Sequence, residues 1–205
     1  STIGAVANRT ALFDENGEKS ADFDAVLTVD GAYKAADFIN FCDAYDIPVL
    51  SLTNVKGYAA DVRSEKSIAK AVAKLTYAFA NANVPKVNVI TGEAYGSAYV
   101  TMNSKALGAD VTYAWPDASI GMMDANEAAK IMYADDIAKS ADVQSVISEK
   151  AAEYAALQSG VESAAARGYV DTIINPEDTR KYVAAAFEML YTKREDRPDK
   201  KHGTV

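Results

Sequence analysis

A chain of 205 residues with 49% hydrophobic and 24% charged residues has the composition of an ordinary globular protein and the length of one large domain. Its formal net charge of −8 argues against a nucleic-acid partner, because phosphate backbones are bound by clustered lysine and arginine. The single cysteine, Cys42, excludes an internal disulfide and any site built from several cysteines.

Membrane and export signals are not expected either. No apolar run approaches the roughly 18 residues that would span a bilayer. The first residues, S-T-I-G-A-V, lack the basic region and the long apolar core of a signal peptide. We therefore expect a cytoplasmic protein without membrane insertion.

Short β-branched runs alternate with segments of helical periodicity along the chain. The predicted strands are 3–7, 25–29, 49–53, 87–91, 111–115, 119–122 and 170–174. The predicted helices are 31–47, 64–82, 97–107, 126–133, 141–157 and 176–191, and the polar stretch 13–24 is predicted to be a loop or hairpin. This alternation indicates an α/β fold with a largely parallel sheet. We assign one domain to residues 1–192 and a polar tail, loosely held, to 193–205.

Residues 85–99, which read P-K-V-N-V-I-T-G-E-A-Y-G-S-A-Y, form the most informative segment. The β-branched run is expected to end at Gly92, and a turn of small residues then leads into the predicted helix. A helix that starts there leaves backbone N–H groups without intrahelical acceptors, and its dipole favours negative charge. Small residues such as Gly96 and Ser97 let a substrate approach that backbone closely. The segment therefore predicts an enzyme that stabilises an oxygen as it becomes negative.

Other chemistries are less well supported. A serine hydrolase would need Gly-x-Ser-x-Gly around Ser97 and a histidine held nearby, but the only histidine is His202 in the predicted tail. Neither a metal-ligand spacing nor a phosphate-binding glycine loop is present. Aromatic residues could stack against a flat ligand or simply pack in the core, and these are Tyr95, Tyr99, Tyr113 and Trp115.

Several segments, taken together, resemble a known family. The resemblance runs through I-G-A-V-A-N at 3–8, A-A-D-F-I-N-F-C-D-A-Y-D-I-P-V at 35–49, V-P-K-V-N-V-I-T-G-E-A-Y-G-S-A-Y at 84–99, Y-A-W-P at 113–116, A-A-A-R-G-Y-V-D at 164–171 and K-K-H-G at 200–203. In this order and spacing they resemble the C-terminal half of the carboxyltransferase (β) subunit of biotin-dependent acyl-CoA carboxylases and decarboxylases.

That resemblance implies a crotonase-like spiral of β-β-α units with a C-terminal helical segment. It also implies a biotin-side half-site, completed by an acyl-CoA-binding N-terminal half on the same or a separate chain. Biotin would arrive on a partner biotin carrier protein, no metal would be bound, and the subunits would form a homo-oligomer. The implied reaction moves a carboxyl group between carboxybiotin and an acyl-CoA, with backbone amides as the oxyanion hole.

Site residues follow from the same resemblance. The oxyanion motif corresponds to Gly96, Ser97 and Ala98, with the Ser97 and Ala98 amides as the expected donors. Residues expected to line the biotin cleft are Gly57, Tyr58, Tyr95, Gly121 and Met122. Val100, which follows the motif, is expected in the substrate pocket.

The chain also departs from the family pattern. Ser97 replaces the second glycine of Gly-Gly-Ala, Lys56 stands where proline is usual, and 59–64 replaces a glycine-rich segment. These changes leave open an alternative, in which the chain is a non-catalytic structural half-subunit of such a complex.

Overall fold

A six-stranded parallel sheet organises residues 2–140 and 142–195, which are the residues that this computed structural model describes. Along that part of the chain the strands are β1 (Gly4–Ala7), β2 (Ala11–Phe13), β3 (Lys19–Asp22), β4 (Val26–Leu27), β5 (Val49–Val55), β6 (Gly57–Tyr58), β7 (Lys86–Tyr95), β8 (Val111–Ala114), β9 (Ser119–Gly121) and β10 (Thr172–Ile173). The helices are α1 (Val29–Ala44), α2 (Val62–Asn81), α3 (Gly96–Thr101), α4 (Ala125–Met132), α5 (Ala134–Lys139), α6 (Val143–Tyr154), α7 (Val161–Ala166) and α8 (Thr179–Met189). Short 3₁₀ turns lie at Lys105–Leu107 and Pro176–Asp178, and a π turn lies at Ala155–Ser159.

The main sheet has the strand order β1-β5-β7-β8-β10, and its neighbouring strands are all parallel. β9 is also parallel to β7 and pairs with the last residues of that strand. β2 and β3 form an antiparallel hairpin that begins two residues before the predicted stretch 13–24, and β4 pairs with β6. The predicted α/β class with a parallel sheet is confirmed.

Both faces of this sheet are buried, as expected for parallel strands that are connected through helices. On one face α1 and α2 pack over the strands, with Phe79 of α2 and Ile90 of β7 in the same core. On the other face α8 covers Val87 and Val89. The predicted burial of Cys42, on the apolar face of α1, is confirmed.

Side-chain caps begin the two long helices. The Thr28 hydroxyl accepts the Gly31 amide at α1, and the Asp61 carboxylate accepts the amides of Arg63 and Ser64 at α2. Hydrogen bonds from the backbone and side chain of Ser64 lower the pKa of Asp61. Each helix therefore starts two residues earlier than predicted.

The predicted end of strand 87–91 is wrong, because β7 continues through Gly92 to Tyr95. Its neighbour β5 is irregular between Thr53 and Val55. There the Asn54 side chain lies over β7, and its Oδ1 accepts the Glu93 amide at 3.0 Å. A Cβ at Gly92 would lie 2.7 Å from that oxygen. Glycine thus allows the strand to continue beneath Asn54 instead of ending it.

The predicted helix 97–107 is also too long, since α3 ends at Thr101. Asn103 adopts a left-handed conformation with φ of 60°, which an α-helix cannot continue. Its buried side-chain amide donates to Ser51 Oγ at 3.0 Å, and the Met102 carbonyl lies 3.2 Å from Thr53 Oγ1, which also contacts Asn88 Oδ1 at 2.8 Å. Hydrogen bonds from β5, remote in sequence, therefore end the helix.

The predicted C-terminal helical segment is present as α4 to α8. The predicted helix 141–157 becomes α6 and the π turn, with Ala141 outside the described residues. The short α7 was not predicted. No helix within residues 2–140 and 142–195 combines the length and apolar character that crossing a membrane requires.

Lys193, the first residue of the predicted tail, is attached to the fold. Its Nζ lies 2.9 Å from Asp110 Oδ1 and also donates to the Val84 carbonyl. The packed part of the chain therefore reaches Lys193, while residues 196–205, including His202, lie outside the described residues. The division of the chain at residue 192 stays a prediction.

Gly4 provides a test of how tightly β1 packs on α1. A Cβ at Gly4 would lie 2.5 Å from Cys42 Sγ, so we expect Gly4→Ala to lower the free energy of unfolding by about 1–3 kcal/mol, as measured in urea. Gly57→Ala is the control, because its Cβ would meet no atom within 4 Å. The cost of Gly4→Ala should fall in a Cys42→Ala background, and an equal cost in both backgrounds would contradict this explanation.

Candidate active site

A cavity of about 470 Å³ lies beside α3 and β9. Five residues predicted from the sequence line it, and these are Gly96, Ser97, Val100, Gly121 and Met122. A larger cavity of about 860 Å³ lies between α8 and the opposite face of the sheet, where none of the predicted site residues is found. The smaller cavity is the candidate site, because it contains the start of a helix as well as the predicted residues.

Gly96 shapes the turn from β7 into α3. Its φ of +58° is costly for any residue with a side chain, and an added Cβ would lie 3.0 Å from the Met122 carbonyl oxygen. Two independent constraints therefore require glycine here. The absence of a side chain also leaves the backbone open to a ligand in the cavity.

The first turn of α3 presents amide donors. Its N-cap residue, Tyr95, makes no side-chain cap hydrogen bond. The amides of Gly96, Ser97 and Ala98 precede the first position at which an α-helix supplies an intrahelical acceptor. Ser97 is exposed and lines the cavity, whereas Ala98 is buried and is not among the lining residues. The expected role of the Ala98 amide as a donor stays a prediction.

Tyr95 lies in the wall behind the cavity instead of lining it. Its hydroxyl donates to Ser119 Oγ at 2.9 Å, and Ser119 Oγ donates to the Ser159 carbonyl at 3.4 Å. Burial is the main cause that raises the pKa of Tyr95. These bonds tie β7, β9 and the π turn together behind the site.

Gly57 and Tyr58 lie on the opposite side of α3. They form β6, which contacts α3 and pairs with β4, and both are half-buried. They do not line the cavity. Their expected role in a biotin cleft stays a prediction.

Sequence reasoning missed several lining residues. Ala164, Arg167 and Tyr169 come from α7 and the turn after it, and Gln158 comes from the π turn. Arg167 donates to Gln158 Oε1 at 2.6 Å and is the only charged residue among the described residues that line the cavity. The segment 164–171 was one of those that resemble the family. No local pattern in the sequence indicated that this segment would lie beside α3.

The four aromatic candidates separate into two groups. Tyr99 lines the cavity, whereas Tyr95 lies in the wall behind it. Tyr113 and Trp115 pack beneath α8, where Tyr113 contacts Tyr182 edge-on and Trp115 Nε1 donates to the Thr179 hydroxyl at 2.9 Å. Core packing is therefore the role of Tyr113 and Trp115.

Tyr99 carries a buried hydroxyl in the cavity wall. Only 7% of the residue is exposed, and its hydroxyl has no hydrogen-bond partner among the described residues. Burial, and secondarily the neighbouring Tyr169, raises the pKa of Tyr99 to about 12. The phenol therefore stays protonated at neutral pH.

A family model for the carboxyl transferase domain matches residues 1–205, which is the whole chain. The chain belongs to the carboxyl transferase family. This confirms the resemblance on which the site residues were chosen.

Individual relatives agree with the family assignment. The putative propionyl-CoA carboxylase beta chain of Bacillus subtilis (strain 168) is 50% identical over 180 residues, which are 87% of this chain and 36% of that protein. The methylmalonyl-CoA carboxyltransferase 12S subunit of Propionibacterium freudenreichii subsp. shermanii is 39% identical over 203 residues, which are 98% of this chain and 37% of that protein.

A solved carboxyl transferase structure shares the fold. The transcarboxylase 12S crystal structure, with methylmalonyl-coenzyme A and methylmalonic acid bound, matches with a TM-score of 0.83 and 42% identity over 87% of this chain and 34% of that chain. The predicted crotonase-like fold is confirmed by this similarity. The chain spans little more than a third of the length of these relatives.

The raised pKa of Tyr99 predicts a pH dependence of stability. Tyrosine in an unfolded chain titrates near pH 10, so above about pH 10 the unfolded state releases a proton that folded Tyr99 retains. The stability that Tyr99 contributes is complete below about pH 10 and is lost as the pH rises towards about 12. The free energy of unfolding, measured in urea, should fall less steeply between about pH 9 and 11 in Tyr99→Phe than in the wild type. The exposed Tyr191→Phe is the control, and equal slopes in the two variants would contradict the prediction.

Proposed function

We propose that this chain is the biotin-side half of an acyl-CoA carboxyltransferase, in which backbone amides at the start of α3 form the oxyanion hole. The proposal rests on one observation above the others. Gly96 and Ser97, at the start of α3, line the cavity, and no side chain of the N-cap residue caps this helix. Membership of the carboxyl transferase family supports the same reaction class.

The chemistry of the cavity agrees with this role. Neither a carboxylate nor a histidine is found among the described residues that line it. Fixed N–H donors in a partly dry site stabilise a developing negative oxygen without reorganising, and losing one donor typically costs about 2.7–4 kcal/mol. In the proposed role this half contributes charge stabilisation through its backbone.

The residues present fit biotin. A flat ureido ring needs close backbone approach, N–H donors for its oxygen and apolar walls. Among the lining residues, Gly96 allows the close approach, Ser97 lies in the first turn of α3, and Ile120 with Tyr99 supplies apolar surface. When bound, biotin would carry the carboxyl group and present a ureido oxygen that gains negative charge as that group leaves. The amides of Ser97 and Ala98 would donate to this oxygen. Tyr95, Gly57 and Tyr58 would support the cleft from behind α3.

The rim of the cavity suits a partner. Met122 is 75% exposed although it lines the cavity, and Leu157 beside Gln158 is 71% exposed. We infer that an acyl-CoA-binding half covers this rim, with a biotin carrier protein delivering the cofactor, in a homo-oligomer. The hexamer assembly described for transcarboxylase 12S supports this arrangement. Val100, 39% exposed in the cavity wall, is proposed to face the acyl group.

The alternative is a non-catalytic half-subunit that keeps the fold and the contacts of the complex. Ser97 favours it, because this residue adds a hydroxymethyl group at the cavity where the family has glycine. A biotin titration followed by NMR separates the two roles. Shifts of the Ser97 and Ala98 amides in the assembled complex would support the enzyme, and unchanged amides would support the scaffold.

Gly96→Ala tests the oxyanion hole directly. The new Cβ would meet the Met122 carbonyl and displace the first turn of α3, so carboxyl transfer from methylmalonyl-CoA to free biotin should fall by about 100-fold or more. The assay requires this chain together with the acyl-CoA-binding half of a family member.

Ser97→Ala is the matched control, because it keeps the backbone donor and removes only the hydroxyl. We expect its rate to stay within about threefold of the wild type, since side-chain truncation leaves the amides in place. Thermal unfolding by circular dichroism checks that both variants fold. Equal activity of Gly96→Ala and the wild type would exclude this oxyanion hole.

A further inference from the structure

Two threonine hydroxyls form a hydrogen-bonded chain behind α3, on the side away from the cavity. Thr101, which is 3% exposed, donates from Oγ1 to the Ser97 carbonyl oxygen at 2.9 Å. Thr76, on α2, donates from its Oγ1 to Thr101 Oγ1 at 3.4 Å. Each hydroxyl has a single proton, so the order of donation runs from Thr76 through Thr101 to the carbonyl.

The carbonyl at the end of this chain belongs to a particular peptide group. The Ser97 C=O and the Ala98 N–H are the two ends of one planar amide, in which electron density is shared across the C–N bond. A hydrogen bond accepted by the oxygen withdraws density from the nitrogen and makes its N–H a stronger donor. Ala98 N–H lies in the first turn of α3 and has no intrahelical acceptor.

The threonine bond is not needed to satisfy the carbonyl. In an α-helix the Ser97 carbonyl already accepts the Thr101 amide, four residues later. A threonine that bonds back to the preceding turn slightly destabilises and bends a helix. Here the helix has only six residues, and the Thr101 hydroxyl also accepts a hydrogen bond from α2.

We propose that Thr101, supported by Thr76, is a positioning residue that orients and polarises the Ser97–Ala98 peptide and so strengthens the Ala98 N–H as an oxyanion donor. This inference rests on the proposed function, in which that amide binds the ureido oxygen of biotin. It adds two residues that do not touch the ligand and act through the backbone.

The size of the effect can be bounded. Cooperative hydrogen bonding strengthens a bond by roughly 10–30%, and one oxyanion donor contributes about 10²–10³ in kcat. Removing the Thr101 hydroxyl should therefore lower kcat by about two- to eightfold. KM for the acyl-CoA should not change, because that substrate is bound by the other half.

The test uses Thr101→Val, which keeps the shape of the side chain and removes the hydroxyl, and Thr101→Ser, which restores it. In the full chain the Ala98 amide proton should move upfield in Thr101→Val and return towards its wild-type position in Thr101→Ser. In the assembled complex kcat should fall in Thr101→Val and return towards the wild-type value in Thr101→Ser. Thr76→Val removes only the hydroxyl of α2 and should give smaller changes in the Ala98 shift and in kcat, in the same direction. This variant replaces Thr101→Val in the test if Thr101→Val does not fold.

Thr112→Val is the matched control. Thr112 is fully buried in β8, and its hydroxyl has no hydrogen-bond partner among the described residues. The same chemical change there should leave both the Ala98 resonance and kcat at their wild-type values.

The outcomes separate this inference from the proposed function. A wild-type Ala98 resonance and a wild-type kcat in Thr101→Val would overturn the inference, and so would a failure of Thr101→Ser to restore either value. If the wild-type complex transfers no carboxyl group while Thr101→Val still shifts the Ala98 resonance, the proposed function fails and the polarised peptide stands.

Discussion

Strand β7 changes neighbours part-way along its length, and the site depends on that change. Its first half pairs with β8 at residues 87–90, and its last residues pair with β9 at 93–95. The transition occurs at Gly92, under the side chain of Asn54. Because β7 then reaches Gly96 beside β9, the backbone must turn against the Met122 carbonyl. The left-handed glycine, the uncapped helix start and the cavity all follow from this path.

Polar groups buried behind the site hold α3 at both ends. Tyr95 and Ser119 tie the strand before the helix to β9 and the π turn. Thr53 and Asn103 tie the residues after the helix to β5. A helix of two turns has little stability of its own, because helix nucleation is unfavourable and so short a helix forms few backbone hydrogen bonds to offset it. Its geometry is therefore imposed by the surrounding strands, which is what a site made of backbone donors requires.

The cavity has the character of one side of an active site. Its lining supplies donors, apolar walls and a single charged side chain, Arg167, which is paired with Gln158. The family model matches the whole chain, while the chain spans little more than a third of the length of its relatives. The left-handed conformation of Gly96 suits glycine alone, because any Cβ there would also lie 3.0 Å from the Met122 carbonyl oxygen.

Hydrophobic periodicity and glycine placement are local signals, so they were enough to predict the alternation of strands and helices, the burial of Cys42 and a strand-to-helix turn before α3. The family resemblance placed Gly96, Ser97, Val100, Gly121 and Met122, and these residues do meet at one cavity. Contacts between segments distant in sequence carry β7 past Gly92, end α3 before Asn103, and bring Tyr99, Arg167 and Tyr169 to one cavity. Asn54, Ser51 and the turn after α7 act across dozens of residues of sequence, and no local pattern records which distant group will supply a hydrogen bond or a wall.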